Sequence, residues 1–379
     1  MAGHGDILLR GGRVVDPARN IDGVGEVYIS HGRCAEYDRS KCPEFVFDVS
    51  DCIVTPGLID FHCHFYHCGT EIGVFPDSAF LPQGVTAVVD QGSAGIGNFE
   101  DFYHSCMEAT QLHSYAFLNV SPTGLVTTRY MENIDPQHFD LDRSAELFER
   151  YPGRLLGLKV RQSREIAGNL ELEPLAAAVR MGAELGCPVA VHSTNPPRSM
   201  GELVSLLRPG DVLCHVFNGK GSHIVSDAGD LISEIKEARR RGVLFDTADG
   251  RAHSCISVIR KALEEGILPH TISTDQTRGN LFDPAVFGLP MVMSRYLALG
   301  MPLFDVVKAC TATPAKFLGQ SEKIGTLAPG ACGDVAVFKI KELPRRYNDH
   351  RGDTLLCEKL LVPAMTLLKG RFAYRSMEL

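Results

Sequence analysis

The 379-residue chain contains no apolar run near the ~20 residues a membrane span requires, and its opening MAGHGDILLRGG meets Asp6 and Arg10 before one can build. The expectation is a cytoplasmic protein with no membrane partner. A basic excess is missing as well: 38 Lys and Arg face 46 Asp and Glu, giving a net charge of −8 with no cationic stripe to track phosphates. Nucleic acid is therefore not an expected partner. C-x-x-C pairs are absent too, and the twelve cysteines stand singly, among them Cys34, Cys63, Cys106, Cys187, Cys255 and Cys310. This spacing excludes a zinc knuckle and favours reduced thiols over disulfides.

What is present is a chain of ordinary globular hydrophobicity, 44%, long enough for one large domain and a smaller one. From Asp6 to Thr55 the pattern is short and β-like, in DILLRGGRVVD, GEVYISHGRC and FVFDVSDCIV, with Gly11-Gly12 and Gly32 as turns. The same texture returns in GDVAVFKI (333–340), LLCEKLLVPAMTLLKG (355–370) and RFAYR. Residues 1–55 and 321–379 are expected to fold together as a small β-sandwich domain.

Between them, residues 56–320 alternate strand and helix. Candidate strands are GLIDF (57–61), VTAVVD (85–90), SYAFLNV (114–120), RLLGLKV (154–160), PVAVHS (188–193), DVLCHV (211–216), VLFDT (243–247) and HTISTD (270–275). Amphipathic helical segments ended by glycine, such as EPLAAAVRMGAELG and DLISEIKEARRRG, lie between several of them. Eight such units predict an α/β fold, a (β/α)8 TIM-like barrel with its active site at the C-terminal strand ends.

Those strand ends carry a short list of polar residues: His62 and His64 on the first, Lys159 on the fourth, His192 on the fifth, His215 on the sixth and Asp275 on the eighth. His62 and His64, two apart, share one face of an extended strand and can grip one metal. Four histidines and an aspartate suit two Zn2+-like ions. Lys159 conflicts with that reading, because an ammonium is not a ligand and repels a cation; it is either a salt-bridged lysine or one whose amine CO2 has converted to an anionic carbamate. Asp275 also has a plain alternative as a helix cap. The glycines of GSAGIG (92–97) are spaced GxxGxG, not GxGxxG, and read as a loop with no phosphate role. His67 and Cys68 read as loop residues, and Cys63 as packing outward from the barrel.

The run PGLIDFHCH, the lysine of GLKVR, the histidines of VAVHS and LCHVFNG and the aspartate of ISTD together resemble the binuclear amidohydrolase superfamily, in particular its deacetylase and dihydroorotase-like members. The resemblance implies a hydrolase in which His62, His64 and Asp275 hold one divalent ion, His192 and His215 the other, and carbamylated Lys159 both. It implies hydroxide attack on an amide or ester carbonyl, with Asp275 as the catalytic proton carrier. Arg161, one step beyond Lys159 on the same strand face, is the candidate grip for a substrate carboxylate, with a surface salt bridge as its alternative. Asn218 is a candidate hydrogen-bond donor to the substrate. The expected substrate is a small acylated acid, an N-acyl amino acid or O-acyl hydroxy acid. Cyclic amides (dihydroorotate, hydantoins), an isoaspartyl dipeptide, and a metal-free binding role remain as alternatives. Barrels of this type often self-associate. One departure from the pattern lies after the seventh strand, where a GHG-like segment is replaced by FDTADGRAHS, with Asp249 at the comparable place and His253 displaced.

Overall fold

The computed structural model describes residues 5–250 and 252–379. Its chain begins with β1 (Ile7–Asp16), β2 (Ile21–Ser30), β3 (Arg33–Ala35), β4 (Phe45–Asp48) and β5 (Cys52–Pro56). The barrel strands follow: β6 (Leu58–Cys63), β7 (Val85–Gly95), β8 (His113–Asn119), β9 (Leu155–Arg161), β10 (Val189–His192), β11 (Val212–Cys214) and β12 (Leu244–Asp246). The chain closes with β13 (Val335–Asn348), β14 (Thr354–Leu368) and β15 (Arg371–Arg375).

The two ends of the chain meet as expected. One eight-stranded sheet runs β15-β14-β13-β5-β1-β2-β3, with β4 beside β1, and β5 and β13 join antiparallel through Val54 and Val337. The sheet is mixed, not purely antiparallel, since β1 runs parallel to both β4 and β5. Its core, including Ile7, Leu9, Val27, Val54, Val337 and Met365, is separate from that of the barrel.

In the barrel, β6 to β12 form a parallel sheet in chain order. Parallel strands covered on both faces read as continuous apolar runs, and side chains alternate between the two sides. On β9 Leu158 and Val160 pack outward with the helical layer, while Lys159 faces inward toward the Gln91 side chain. Phe61, Phe117 and Phe317 fill the interior below, with ring centroids 4.9–6.3 Å apart. The helices Glu173–Glu184, Ser233–Arg241 and Ile256–Glu264 match the amphipathic segments.

The eighth expected strand, 270–275, is not a regular strand. It touches its neighbours through single bridges, Asp246 with Thr271 on one side and Cys63 with Gln276 on the other. Side chains here compete with the ladder: Thr271 and Ser273 hydroxyls donate to Asp246 Oδ1 at 2.7 and 2.6 Å, and Asp60 accepts from both Thr274 N and Thr274 Oγ1. Backbone bonds Asp275 N to His62 O (2.8 Å) and His64 N to Gln276 O (2.9 Å) complete the seam. The barrel is thus nearly closed by polar side chains in place of a ladder.

The barrel and the terminal sheet are pinned at the base of β8, where His113 Nε2 lies 2.8 Å from Asp334 Oδ2, and Asp334 Oδ1 accepts from Lys369 N. Burial opposes charge on His113, but its hydrogen bonds to Asp334 and Cys332 prevail and raise it to about 9. A folded-state value above the unfolded one, about 6.5, means that this stabilisation is whole below the lower value and lost as pH rises through the upper. We expect the urea midpoint of the protein to fall between pH 7 and 10 by more than that of His113→Gln, with a difference of about 2–3 kcal/mol across the range. Parallel curves for the two proteins would show that the pair carries no such linkage.

Candidate metal centre

The strand ends converge on one cluster. The register of β6 shifts between Asp60 and Cys63, a bulge that turns His62 inward directly after the interior Phe61. Cys63 packs outward in the helical layer. His62 Nε2 and His64 Nε2 stand 3.5 and 3.3 Å from Asp275 Oδ1, so these three form one group of ligand atoms. His192 and His215, with ring centroids 4.2 Å apart, form the second, and His253 joins them. His62 and His215 link the two groups at 5.1 Å between rings.

Three of the inward imidazoles, His62, His64 and His215, are oriented from behind. His62 Nδ1 lies 3.0 Å from Asp246 Oδ2, His64 Nδ1 2.8 Å from Ser93 Oγ, and His215 Nδ1 donates to Ala248 O at 2.7 Å. Such partners hold the remaining ring nitrogen toward a common point. His215 Nε2 is buried with no hydrogen-bond partner, an orphan atom whose cost falls away only if something is bound there. Burial, reinforced by neighbouring positive charges, drives His62, His192 and His215 well below the usual imidazole range. They are neutral at physiological pH, the form that ligates a metal.

Lys159 is 1% exposed, with Nζ 3.5 Å from both Gln91 Oε1 and Cys214 Sγ and no carboxylate within ion-pair distance among the described residues. The salt-bridged alternative for Lys159 therefore has no partner here. A buried ammonium without an ion-pair partner beside the imidazoles of His62, His192 and His215 is electrostatically unfavourable, whereas an anionic carbamate amid divalent cations would not be. The donor set fits a binuclear centre on that ground. Gly92, at φ +79°, gives the lysine stem its room: a Cβ there would lie 2.7 Å from Lys159 Cβ.

Strain concentrates at the same place. His215 (φ 57°), Ala248 (φ 39°) and Asp275 (φ 52°) all occupy left-handed backbone, a conformation that costs of the order of 1–3 kcal/mol per residue and persists only where the surroundings enforce it.

The cluster lies along a cavity of about 690 Å³, whose wall includes Arg129, Arg161 and Arg278 together with Asp275 and His253. Arg161 is on the expected face, but Nη1 is already 3.0 Å from Glu132 Oε2. Asn218 does not line the cavity: it is fully buried, its Nδ2 donating to His215 O at 2.8 Å. Its amide holds the His215 turn together.

The model of the amidohydrolase family matches residues 167–368, and a curated deacetylase from Agrobacterium fabrum is 32% identical over 322 residues, 85% of this chain and 79% of the relative. The chain belongs to the amidohydrolase family. A deacetylase from Brucella anthropi is also 32% identical, over 83% of this chain and 78% of its own. The crystal structure of a dihydroorotase superposes with a TM-score of 0.90 at 31% identity, covering 98% of both chains. This amidohydrolase is accordingly a hydrolase acting on C–N bonds, of a family that generally binds divalent metals.

Two members of the cluster escaped the sequence reading in their roles. Asp246 ends the seventh strand and orients His62, and burial pushes it up to about 7 against the hydroxyls of Ser273 and Thr271. Its position at a strand end was the available signal. His253 reaches the cavity from seven residues beyond the end of β12, because Gly250 (φ +48°) turns the loop back; a Cβ at Gly250 would lie 2.5 Å from His253 Cδ2. Asp249, at the place of the departure, does not face the cavity. It accepts from Arg295 Nη2 at 2.6 Å and Tyr296 Oη at 3.1 Å, and Arg295 stacks 4.1 Å from the Tyr347 ring.

Removing one partner of such a buried pair strands the other charge. Asp249→Ala should lower stability by about 3–5 kcal/mol in urea unfolding, and Asp249→Leu combined with Arg295→Met should recover most of it. An unchanged midpoint in the single variant would mean that water already serves the pair.

Proposed function

We propose that the protein hydrolyses the acyl bond of a small carboxylate-bearing substrate, an N-acyl amino acid or an O-acyl hydroxy acid. The observation that carries this reading is the cavity: a half-open space of about 690 Å³ whose floor includes His62, His64, His192 and Asp275 and whose wall bears three arginines. A guanidinium matches a carboxylate in shape and charge, and a cavity of this size suits a small molecule. The two curated relatives named deacetylase support the acyl reading over the cyclic-amide one. The dihydroorotase structure, at comparable identity, keeps cyclic amides as the second reading.

In this proposal His62, His64 and Asp275 would hold one divalent cation, most simply Zn2+, and His192 and His215 another, with Lys159 as its carbamate a further ligand. Two such ions supply Lewis acidity toward a carbonyl oxygen and make water nucleophilic near neutral pH. Asp275, bordering the cavity, takes the proton from the attacking water and delivers it to the leaving group. Arg161 holds the substrate carboxylate, and Glu132 fixes the guanidinium plane so that the acyl group faces Asp275. Neutral His253, on the same wall with Nδ1 2.8 Å from Thr194 Oγ1, can hydrogen-bond the acyl oxygen. The same reading treats residues 56–320 as the catalytic barrel and 1–55 with 321–379 as the accessory domain.

Hydrolysis of N-acetyl amino acids of both hands, O-acetyl 2-hydroxy acids, hydantoin and dihydroorotate should give activity on the first two classes; activity confined to the cyclic compounds would overturn the assignment. Lys159→Ala should lose bound metal and at least ~10³-fold in kcat, with partial rescue by short carboxylic acids. Full activity without rescue would remove the bridging role. Arg161→Met should raise KM roughly 10–100-fold with a smaller change in kcat, the signature of lost ground-state binding.

A further inference from the structure

Outside the proposed centre, one other group of ligand atoms lies close to the cavity. The loop after β6 carries His67 and Cys68, and the helical turn Tyr103–Met107 carries Cys106. Cys68 Sγ is 3.5 Å from Cys106 Sγ, Cys106 Sγ is 3.4 Å from His67 Nδ1, and all three atoms lie within 4.8 Å of one another. Ligands arranged tetrahedrally about zinc, at ~2.3 Å for sulfur and ~2.0–2.1 Å for nitrogen, stand about 3.6–3.8 Å apart by simple geometry. The two contacts made by Cys106 Sγ, 3.5 and 3.4 Å, are within a few tenths of an ångström of that.

Two further observations set the group apart from chance contact. Tyr103–Met107 is a π-helical turn, a rare distortion that recurs at functional sites and here points Cys106 at the loop. The His67 ring is also held in place, 4.0 Å from the ring of Phe75 between centroids and with Nδ1 3.3 Å from Phe65 O, a contact that a cation at Nδ1 would replace. Cys68 is exposed and Cys106 buried, so an incoming ion has an open side and a fixed one.

We infer that His67, Cys68 and Cys106 form a separate binding site for a thiophilic cation such as Zn2+, with the fourth position open to water. Thiolate and imidazole are the donors that select such ions over Mg2+ or Ca2+. Binding replaces the two thiol protons by the cation, so two protons leave to solvent for each ion taken up. Burial pushes the Cys106 thiol up to about 11, which makes it a slow nucleophile toward oxidants. A cation supplies the positive charge that this thiol lacks. The loop so tied continues into Glu71 and Ile72 on the cavity wall, so occupancy would fix the wall beside the entrance.

The test loads the full-length protein with excess Co2+ under a phosphine reductant, removes unbound ion and reads metal content and absorption. Wild type should carry one equivalent more than Cys68→Ser, Cys106→Ser or His67→Gln. It should also show thiolate-to-cobalt charge-transfer absorption that both serine variants lack and Cys214→Ser keeps. Equal metal content in all proteins, or loss of the band only in Cys214→Ser, would overturn the site. So would a loss of two titratable thiols per chain in air with no metal taken up, because the pair would then be a disulfide. Since the readout is a difference between proteins, it stands whatever number of ions the barrel centre holds.

Discussion

The constraint on which the centre depends is the burial of Lys159. An amine 1% exposed, faced by imidazoles and with no carboxylate within ion-pair distance among the described residues, is an unfavourable thing to fold around. Its surroundings offer only Gln91 Oε1 and Cys214 Sγ at 3.5 Å: Gly92 makes space for its stem, and burial has driven three of the neighbouring imidazoles neutral. His62, His64 and His215 face inward with Nδ1 hydrogen-bonded from behind, and His215 Nε2 has no hydrogen-bond partner among the described residues. On the proposed reading, two divalent cations held here with Lys159 as its carbamate would remove both problems at once, by turning a repelling charge into an attracting one. The left-handed backbone at His215 and Asp275 would fit the same reading, since such strain persists only where the surroundings enforce it.

The seam between the first and last barrel segments follows from this. Residues 270–276 must place Asp275 beside His62 and His64, and a regular strand would send its side chain along the pleat instead. The chain resolves this with Asp60 and Asp246, two fully buried carboxylates that gather the Thr and Ser groups of the segment. Burial pushes Asp60, like Asp246, up to about 7. Both are also one hydrogen bond from the cluster, through His62 N and His62 Nδ1. Closure of the barrel and orientation of the first histidine are thus one network.

Specificity belongs to other parts of the fold. Arg161 comes from a strand, but Glu132 and Arg129 come from the segment between β8 and β9, and His253 from the loop after β12. A rigid barrel presenting a variable set of loop groups is the usual way that one centre serves several substrates. Here the wall is cationic and the floor is rich in neutral imidazole, a combination that suits an anionic substrate with a polarisable carbonyl.

The sequence by itself determined the barrel strands and the residues gathered at their ends. Apolar runs such as VTAVVD and PVAVHS are periodic, local signals, and polar residues at their termini follow from strand direction alone. It also determined that the two ends of the chain share a sheet, because their β texture matches. Only the tertiary structure decided that 270–276 closes the barrel without a ladder, since that depends on Asp60 and Asp246 arriving from distant strands. It alone removed Asn218 from the cavity, committed Asp249 to Arg295 and brought His253 to the cluster. Each of these rests on a contact between residues from 3 to 61 positions apart whose direction is set by backbone turns, at Gly250, Ala248 and His215, that no periodicity encodes.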